Sequence, residues 1–342
     1  MGQFSFEHCF EIDTLKRLIA QHQHLFRHQS LADLYYRGEK LSVTAIELGQ
    51  QQQSCPTVLF VGGVHGVERI GAQVVLAFLS SLLNRLPWDT HLQQLLQQVR
   101  LAFVPVVNPV GFLRGSRGNG NNVDLMRNAP IDSSEEVTFL VGGQRISSKL
   151  PWYRGKAGME LETEALVNYV KQLQHQSTSV IALDAHSGFG LLDHVWFPHA
   201  HTRQPFEGIG YIYRLMQLFE SGYPHHGYYR LAPQSHFYRT HGDIWDFLVA
   251  SNTSNKPFIP LTLEMGSWAW VRKNPRQLFN FPGYFNPQQS HRHQRILRRH
   301  VVLMQFLIDA AYAHIVEQIK PAQLKQLNHQ ATRFWHKKSQ RG

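Results

Sequence analysis

TVLFVGGVHGVERIGAQVVLAFLSSLL, residues 57–83, is the stretch that decides how this chain is read. It opens on a continuous apolar run of the kind that fills a fully buried strand. Gly62 and Gly63 stop the run. Beyond them, apolar residues recur at helical spacing: Val67, Ile70, Val74, Phe78 and Leu82. That spacing predicts a helix over 67–86. A buried strand that turns through glycine into an apolar-faced helix is the start of a β-α unit. His65 and Glu68 stand three residues apart at the junction, and in open α/β sheets ligands gather at this end of the strands.

The His-x-x-Glu spacing carries little weight alone. The chain has 21 His and 14 Glu, and the spacing occurs three times, at His8/Glu11, His65/Glu68 and His314/Glu317. His314 and Glu317 fall in a long amphipathic pattern, where residues three apart share a face and meet solvent. His8 and Glu11 lie in a featureless N-terminal stretch. Only His65 and Glu68 sit where a buried strand ends.

Outward from this unit, the apolar runs at 55–63, 99–109, 179–190 and 259–267 predict four buried strands. LSVTAIELG (41–49) alternates as a strand does. Helices are predicted over 11–28, on Ile12, Leu15, Leu18, Ile19 and Leu25, and over 161–173 and 291–319. GFLRGSRGNGNN (111–122) is rich in Gly and Asn and reads as a loop. Strands alternating with helices predict an α/β fold: a single large domain with a mixed, mostly parallel central sheet flanked by helices. Residues 1–50 are expected to supply a helix and strand packing on a catalytic domain of 51–315, with 316–342 a basic C-terminal tail.

A chain of 342 residues with 43% hydrophobic content can bury a large core. Two cysteines, Cys9 and Cys55, make no disulfide framework. The N-terminus lacks a basic segment followed by an apolar one, and no apolar run is long enough to cross a membrane. These features predict a cytoplasmic protein. The net charge of +10 favours acidic partners. It is concentrated at Arg272, Lys273, Arg276, Arg292, Arg295, Arg298 and Arg299, and in a tail with Arg333, Lys337, Lys338 and Arg341. No zinc finger, RNP-like sequence or helix-turn-helix accompanies it, so it reads as a solvated basic face and not as a specific nucleic-acid site.

Chemistry-bearing residues close the predicted strands. The first ends at His65 and Glu68. The second leads into Arg114, Arg117 and Arg127. The third ends at Asp184-Ala-His186, and the fourth at Glu264. His65, Glu68 and His186 form a His₂Glu set, and catalytic zinc takes three protein ligands and keeps one position open for water. Imidazole and carboxylate without thiolate suit zinc. A carboxylate such as Glu264 at the rim of a buried strand is costly unless paired or used. Its functional reading is general base for a water on zinc.

GGVHGVE, NPVGF, the arginine loop with VDLMRN, DAHSGFG and LTLEMGS, in that order, resemble the zinc carboxypeptidase family, of the carboxypeptidase A and B type. The likeness covers about residues 55 to 312. It implies one zinc ion per chain on His65, Glu68 and His186, with Glu264 as the catalytic glutamate. Arg127 matches the arginine that grips the substrate's terminal carboxylate, a task suited to a bidentate guanidinium. Arg117 matches the arginine that polarises the scissile carbonyl, with Arg114 as the alternative. Tyr238 matches the tyrosine that covers the terminal carboxylate. The base of the pocket for the last side chain falls at Asp243 or Ile244, depending on a one-residue gap. One position departs: Met126 stands where the family has Asn, and Met cannot donate to a carboxylate. Asn122, Asn128 or His241 would have to compensate. The implied activity is hydrolysis of a peptide bond near a free carboxylate. The alternatives are a deacylase of N-acyl amino acids, like the succinylglutamate desuccinylase and aspartoacylase enzymes, and a non-catalytic zinc- or polyanion-binding protein.

Overall fold

The four apolar runs occupy the middle of one sheet. In the computed structural model, residues 9–336 are described apart from 52–53, 157, 189 and 280. Among these residues the sheet has eight strands: β1 (Arg27–Tyr36), β2 (Glu39–Gly49), β3 (Thr57–Gly62), β4 (Arg100–Val104), β5 (Val180–Ser187), β6 (Asp193–Phe197), β7 (Tyr229–Pro233) and β8 (Phe258–Met265). Their order is β1-β2-β4-β3-β5-β8-β6-β7. The pairings β4/β3, β3/β5, β5/β8 and β6/β7 are parallel; β1/β2, β2/β4 and β8/β6 are antiparallel. The sheet is therefore mixed, with its parallel strands at the centre, where both faces are covered.

The helices are α1 (Phe10–His22), α2 (Arg69–Arg85), α3 (Thr90–Leu96), α4 (Pro109–Arg114), α5 (Leu161–Gln176), α6 (Ile209–Gly222), α7 (Ile244–Ala250), α8 (Trp268–Lys273), α9 (Ser290–Tyr312) and α10 (Pro321–Trp335). Two cores sandwich the sheet. One packs α1, α2, α6 and α9 on residues such as Phe60, Leu183 and Leu263. The other packs α5 and α7 on Leu59, Val61, Val180 and Ala182. Alternation along β5 thus assigns Val180 and Ala182 to the α5/α7 face, and the same period carries Asp184 and His186 to that face.

Several expectations needed correction. The first helix ends at His22, and 27–36 is an edge strand, β1. The start of the 111–122 stretch is helical: Asn108 caps α4 by accepting from the Gly111 N–H, with Pro109 in its first turn. The closing helix stops at Tyr312, because the backbone turns through His314 at a φ of +51°. Glu317 does not simply meet solvent; it accepts from the hydroxyls of Thr178 and Ser179. Glu11 is likewise buried, on the Arg69 guanidinium (2.7 Å), while His8 lies outside the described residues. Residues 321–335 of the expected tail form α10, which packs on α6 and seats Trp335 against Phe197. Lys337, Lys338 and Arg341 lie outside the described residues. Among the described residues no single helix is long and apolar enough to cross a membrane.

Candidate metal centre and active site

The site grows from the C-terminal ends of β3, β5 and β8. Gly71 lets α2 approach β5 closely: a Cβ there would lie 2.1 Å from the Ala185 carbonyl oxygen. Glu68 occupies the N-cap position of α2 but does not cap it. Asn286 does so instead, accepting from the Ile70 N–H (3.0 Å) and donating to the Val67 carbonyl (2.7 Å). A residue 216 positions further along the chain than Ile70 thus frees the Glu68 carboxylate to face the cavity, while the positive end of the helix favours its charge.

His65, Glu68 and His186 are buried, and one ligand atom from each lies within 4.8 Å of the others. Nδ1 of His186 is 3.0 Å from Glu68 Oε2. Nδ1 of His65 is 2.9 Å from Glu68 Oε1, yet makes no hydrogen bond and is buried. Behind each ring stands a carboxylate: Asp124 Oδ1 on His65 Nε2 (3.0 Å) and Asp184 Oδ2 on His186 Nε2 (2.8 Å). An Nε2–H donated outward leaves the Nδ1 lone pair inward, the arrangement in which carboxylates orient metal-binding histidines. An orphaned inward nitrogen, a second one beside it and a carboxylate between them fit a zinc ion. Burial works against the charge on Glu68, but His65 and His186 hold its pKa well below the usual carboxylate range.

Asp124 was not singled out from the sequence. It caps the short helical turn Leu125–Arg127 through the Met126 N–H and also accepts from Arg117 Nε (2.8 Å). Arg117 Nη1 donates to Glu68 Oε1 (2.9 Å). Burial opposes the charge on Arg117, but Asp124 and Glu68 more than restore it. Arg114, the alternative, points away: it donates to the carbonyls of Asn119 and Gly120 and to Asn122 Oδ1.

A cavity of about 510 Å³ joins His65, Glu68 and His186 to Arg117, Arg127, Tyr238 and Glu264. Glu264 is the direct partner of His186 in the β5/β8 register. Its carboxylate makes no hydrogen bond or ion pair among the described residues, including none to the loop arginines. Burial, reinforced by Glu68, pushes its pKa up to about 8. Arg127 is buried and donates to the carbonyls of Val141 and Met126; among the described residues no carboxylate forms an ion pair with it. Tyr238 lies with its ring 5.9 Å from the Arg127 guanidinium carbon.

Asp243 and Ile244 are not in the cavity wall. Gly242, at φ +70°, brings its chain so close that a Cβ would lie 1.9 Å from the Arg127 carbonyl oxygen. Asp243 then caps α7, accepting from the N–H groups of Trp245 and Asp246, and Ile244 is buried in the core. Trp196 and Thr262, paired across β6 and β8, line the cavity instead, with Met126 and Gln234. Strand alternation offered a way to find Thr262, two residues before Glu264 on the same face; β6 itself was missed. The residues expected to compensate for Met126 are engaged elsewhere: Asn122 by Arg114, Asn128 with the carbonyls of Arg154 and Gly158, and His241 by the Ser133 N–H.

Comparison with known proteins agrees with this architecture. The zinc carboxypeptidase family model matches residues 12–271. A stretch of 75 residues is 35% identical to carboxypeptidase SOL1 of Arabidopsis thaliana, covering 22% of this chain and 15% of that protein. A stretch of 153 residues is 29% identical to the carboxypeptidase N catalytic chain of Homo sapiens, covering 39% of this chain and 31% of that protein. The matched stretches thus span less than a third of these relatives. The carboxypeptidase A of Helicoverpa armigera shares the fold, with a TM-score of 0.63 at 17% identity over 90% of this chain and 75% of that one. The chain belongs to the zinc carboxypeptidase family.

Proposed function

We propose that this protein is a zinc-dependent carboxypeptidase that removes the last residue of a peptide with a free terminal carboxylate. The observation that carries the reading is one cavity with two unpartnered ionisable groups: Glu264, a carboxyl group beside His186 with no ion-pair partner among the described residues, and Arg127, a buried cation without a carboxylate partner among the described residues. A buried unpaired ion is costly unless a ligand or a reaction uses it.

Zinc held by His65, Glu68 and His186 would supply a Lewis acid and lower the pKa of a water from about 15.7 to about 7. Arg127 receives the substrate's terminal carboxylate, and Tyr238 packs over that group. Arg117 lines the cavity, and its Nη2, without a protein partner among the described residues, serves to stabilise oxygen charge developing on the scissile carbonyl; such a donor contributes about 10²–10³ in rate. Glu264 takes a proton from the attacking water and passes it to the leaving amine as the carbon–nitrogen bond breaks. The water's oxygen remains on the new carboxylate.

The test is release of the terminal residue from paired peptides, free and amidated at the C-terminus, by zinc-loaded protein. Cleavage of the free form alone is expected. No release from a broad peptide library would overturn the reading, and release of acetate or succinate from N-acyl amino acids without peptide cleavage would reassign the protein to the deacylases. A cytoplasmic location is part of the proposal, in keeping with free, buried Cys9 and Cys55; recovery outside the soluble cytosolic fraction of cells would contradict it.

A further inference from the structure

The carboxypeptidase reading leaves the cationic stretch between Arg272 and Arg299 unused. In the structure this stretch lines a groove of about 350 Å³ beside the catalytic cavity. The two share a wall. Gly188 and Trp268 face the cavity; Leu192 and Trp270, from the same two segments, face the groove. Trp268 is fixed in that wall by its N–H on the Gly190 carbonyl (3.1 Å). The groove floor begins two residues past Glu264, where the Gly266 N–H donates to Asp193 Oδ1 (3.0 Å).

The charges of the groove do not balance. Lys273, Arg292, Arg295 and Arg299 line it against one carboxylate, Asp193, which Arg299 already holds at 2.7 Å. Arg292 donates to the Trp270 carbonyl. Lys273 and Arg295 are exposed and make no hydrogen bond or ion pair among the described residues. Arg292 also opposes the dipole of α9, because it lies in the first turn of that helix, which holds no acidic residue. The positive end of a helix favours anions and disfavours cations, and like charges held together repel. A bound anion relieves both costs at once.

We propose that this groove binds acidic side chains of the peptide substrate on the amino-terminal side of the cleaved bond, an inference that rests on the carboxypeptidase reading. Arg127, which takes the terminal carboxylate, sits on a different wall, against Val141 and Tyr238. A peptide anchored there and running out over the wall that carries Trp268 would meet the basic groove next, since Trp270 and Leu192 of the same segments line it. The enzyme therefore selects peptides with Asp or Glu upstream of the residue it removes.

The experiment compares zinc-loaded protein on two pentapeptides that share their last two residues and carry either three Glu or three Gln before them. The Glu peptide is expected to have a kcat/KM about tenfold higher at low ionic strength, from several exposed ion pairs acting together. The preference should shrink in about 0.5 M salt, where charges are screened within a few ångström. The double variant K273E/R295E should bring the ratio close to one, whereas K16E, a change at an exposed position on α1, should preserve it. Equal rates on both peptides, or a preference that survives K273E/R295E, overturns the proposal. If neither peptide is cleaved, the broad peptide library decides the carboxypeptidase reading separately, and anisotropy with the labelled Glu peptide decides the groove: binding lost in K273E/R295E supports it, and binding unchanged overturns it. Tighter binding of a duplex oligonucleotide, also lost in that variant, gives the groove to nucleic acid and overturns the peptide assignment.

Discussion

Replacing Asp184 by asparagine removes a negative charge from behind one expected metal ligand while keeping nearly the same shape. Asp184 Oδ2 accepts from His186 Nε2 (2.8 Å) and from Trp245 Nε1 (3.0 Å) in a fully buried setting. An asparagine oxygen can keep these contacts. What disappears is the charge that makes the imidazole a better donor. Deleting one partner of a buried ion pair costs about 3–5 kcal/mol, but here the hydrogen bonds persist, so the fold should survive. Changes to the group behind a metal-bound histidine typically cost about 10–100-fold in metal affinity. The isosteric change belongs at the low end, about tenfold or about 1.4 kcal/mol. Zinc affinity is read by competition with a chromophoric chelator, and thermal unfolding of both metal-free proteins checks the fold. Zinc affinity within about twofold of the wild type, in a folded variant, would refute the reasoning that His186 binds through Nδ1 with Asp184 as its orienting partner.

Three further outcomes are expected. Glu264→Gln should lower kcat by about 10²–10⁴ with zinc affinity nearly intact, and should stabilise the metal-free protein, because it neutralises a buried unpaired carboxylate; unaltered kcat removes Glu264 from the chemistry. Met126→Asn adds a donor beside Arg127 and should lower KM for free C-termini by about fivefold, from one added hydrogen bond of about 1 kcal/mol, with little change for amidated peptides; an unchanged KM means that position 126 does not touch the carboxylate. For Asp243, burial and the neighbouring Asp246 raise the pKa to about 7 against an ordinary 3.8. Below pH 3.8 both folded and unfolded states hold the proton. As pH rises towards 7 the unfolded state loses it first, so native stability falls through that window and stays low above it. Asp243→Asn, which retains a capping oxygen, should therefore add on the order of 1–3 kcal/mol at about pH 8 and little at about pH 3.5, read from denaturant midpoints. An equal difference at both pH values would contradict this.

The parts of the fold that could be read from the sequence are those set by local periodicity. β3, β4, β5 and β8 are buried on both faces and appear as unbroken apolar runs. β1, RHQSLADLYY, is a mostly exposed edge strand, so its residues carry too little apolar pattern to compete with the preceding helix. β6 and β7 are short, with five residues each, and β6 mixes Asp and His with its apolar residues because it borders the site. His65, Glu68, His186 and Glu264 could be picked out because each ends a strand or begins a helix. Asp184 was visible as a neighbour at strand period two. Asp124 was not, since its contact with His65 depends on how a 59-residue separation folds back. The same holds for Asn286, whose capping of α2 is purely tertiary. Asp243 carried a readable clue that went unused: Gly-Asp ahead of an apolar helix is the pattern of an N-cap, which turns the carboxylate into the helix and away from a pocket.

The most direct test of the central claim is the zinc content of the purified protein, wild type beside His186→Ala. About one zinc per chain in the wild type, lost in the variant while its fold persists, is the expected result for a catalytic His₂Glu centre. A wild-type protein that takes up no zinc even in excess metal, or a variant that retains it, would contradict the account.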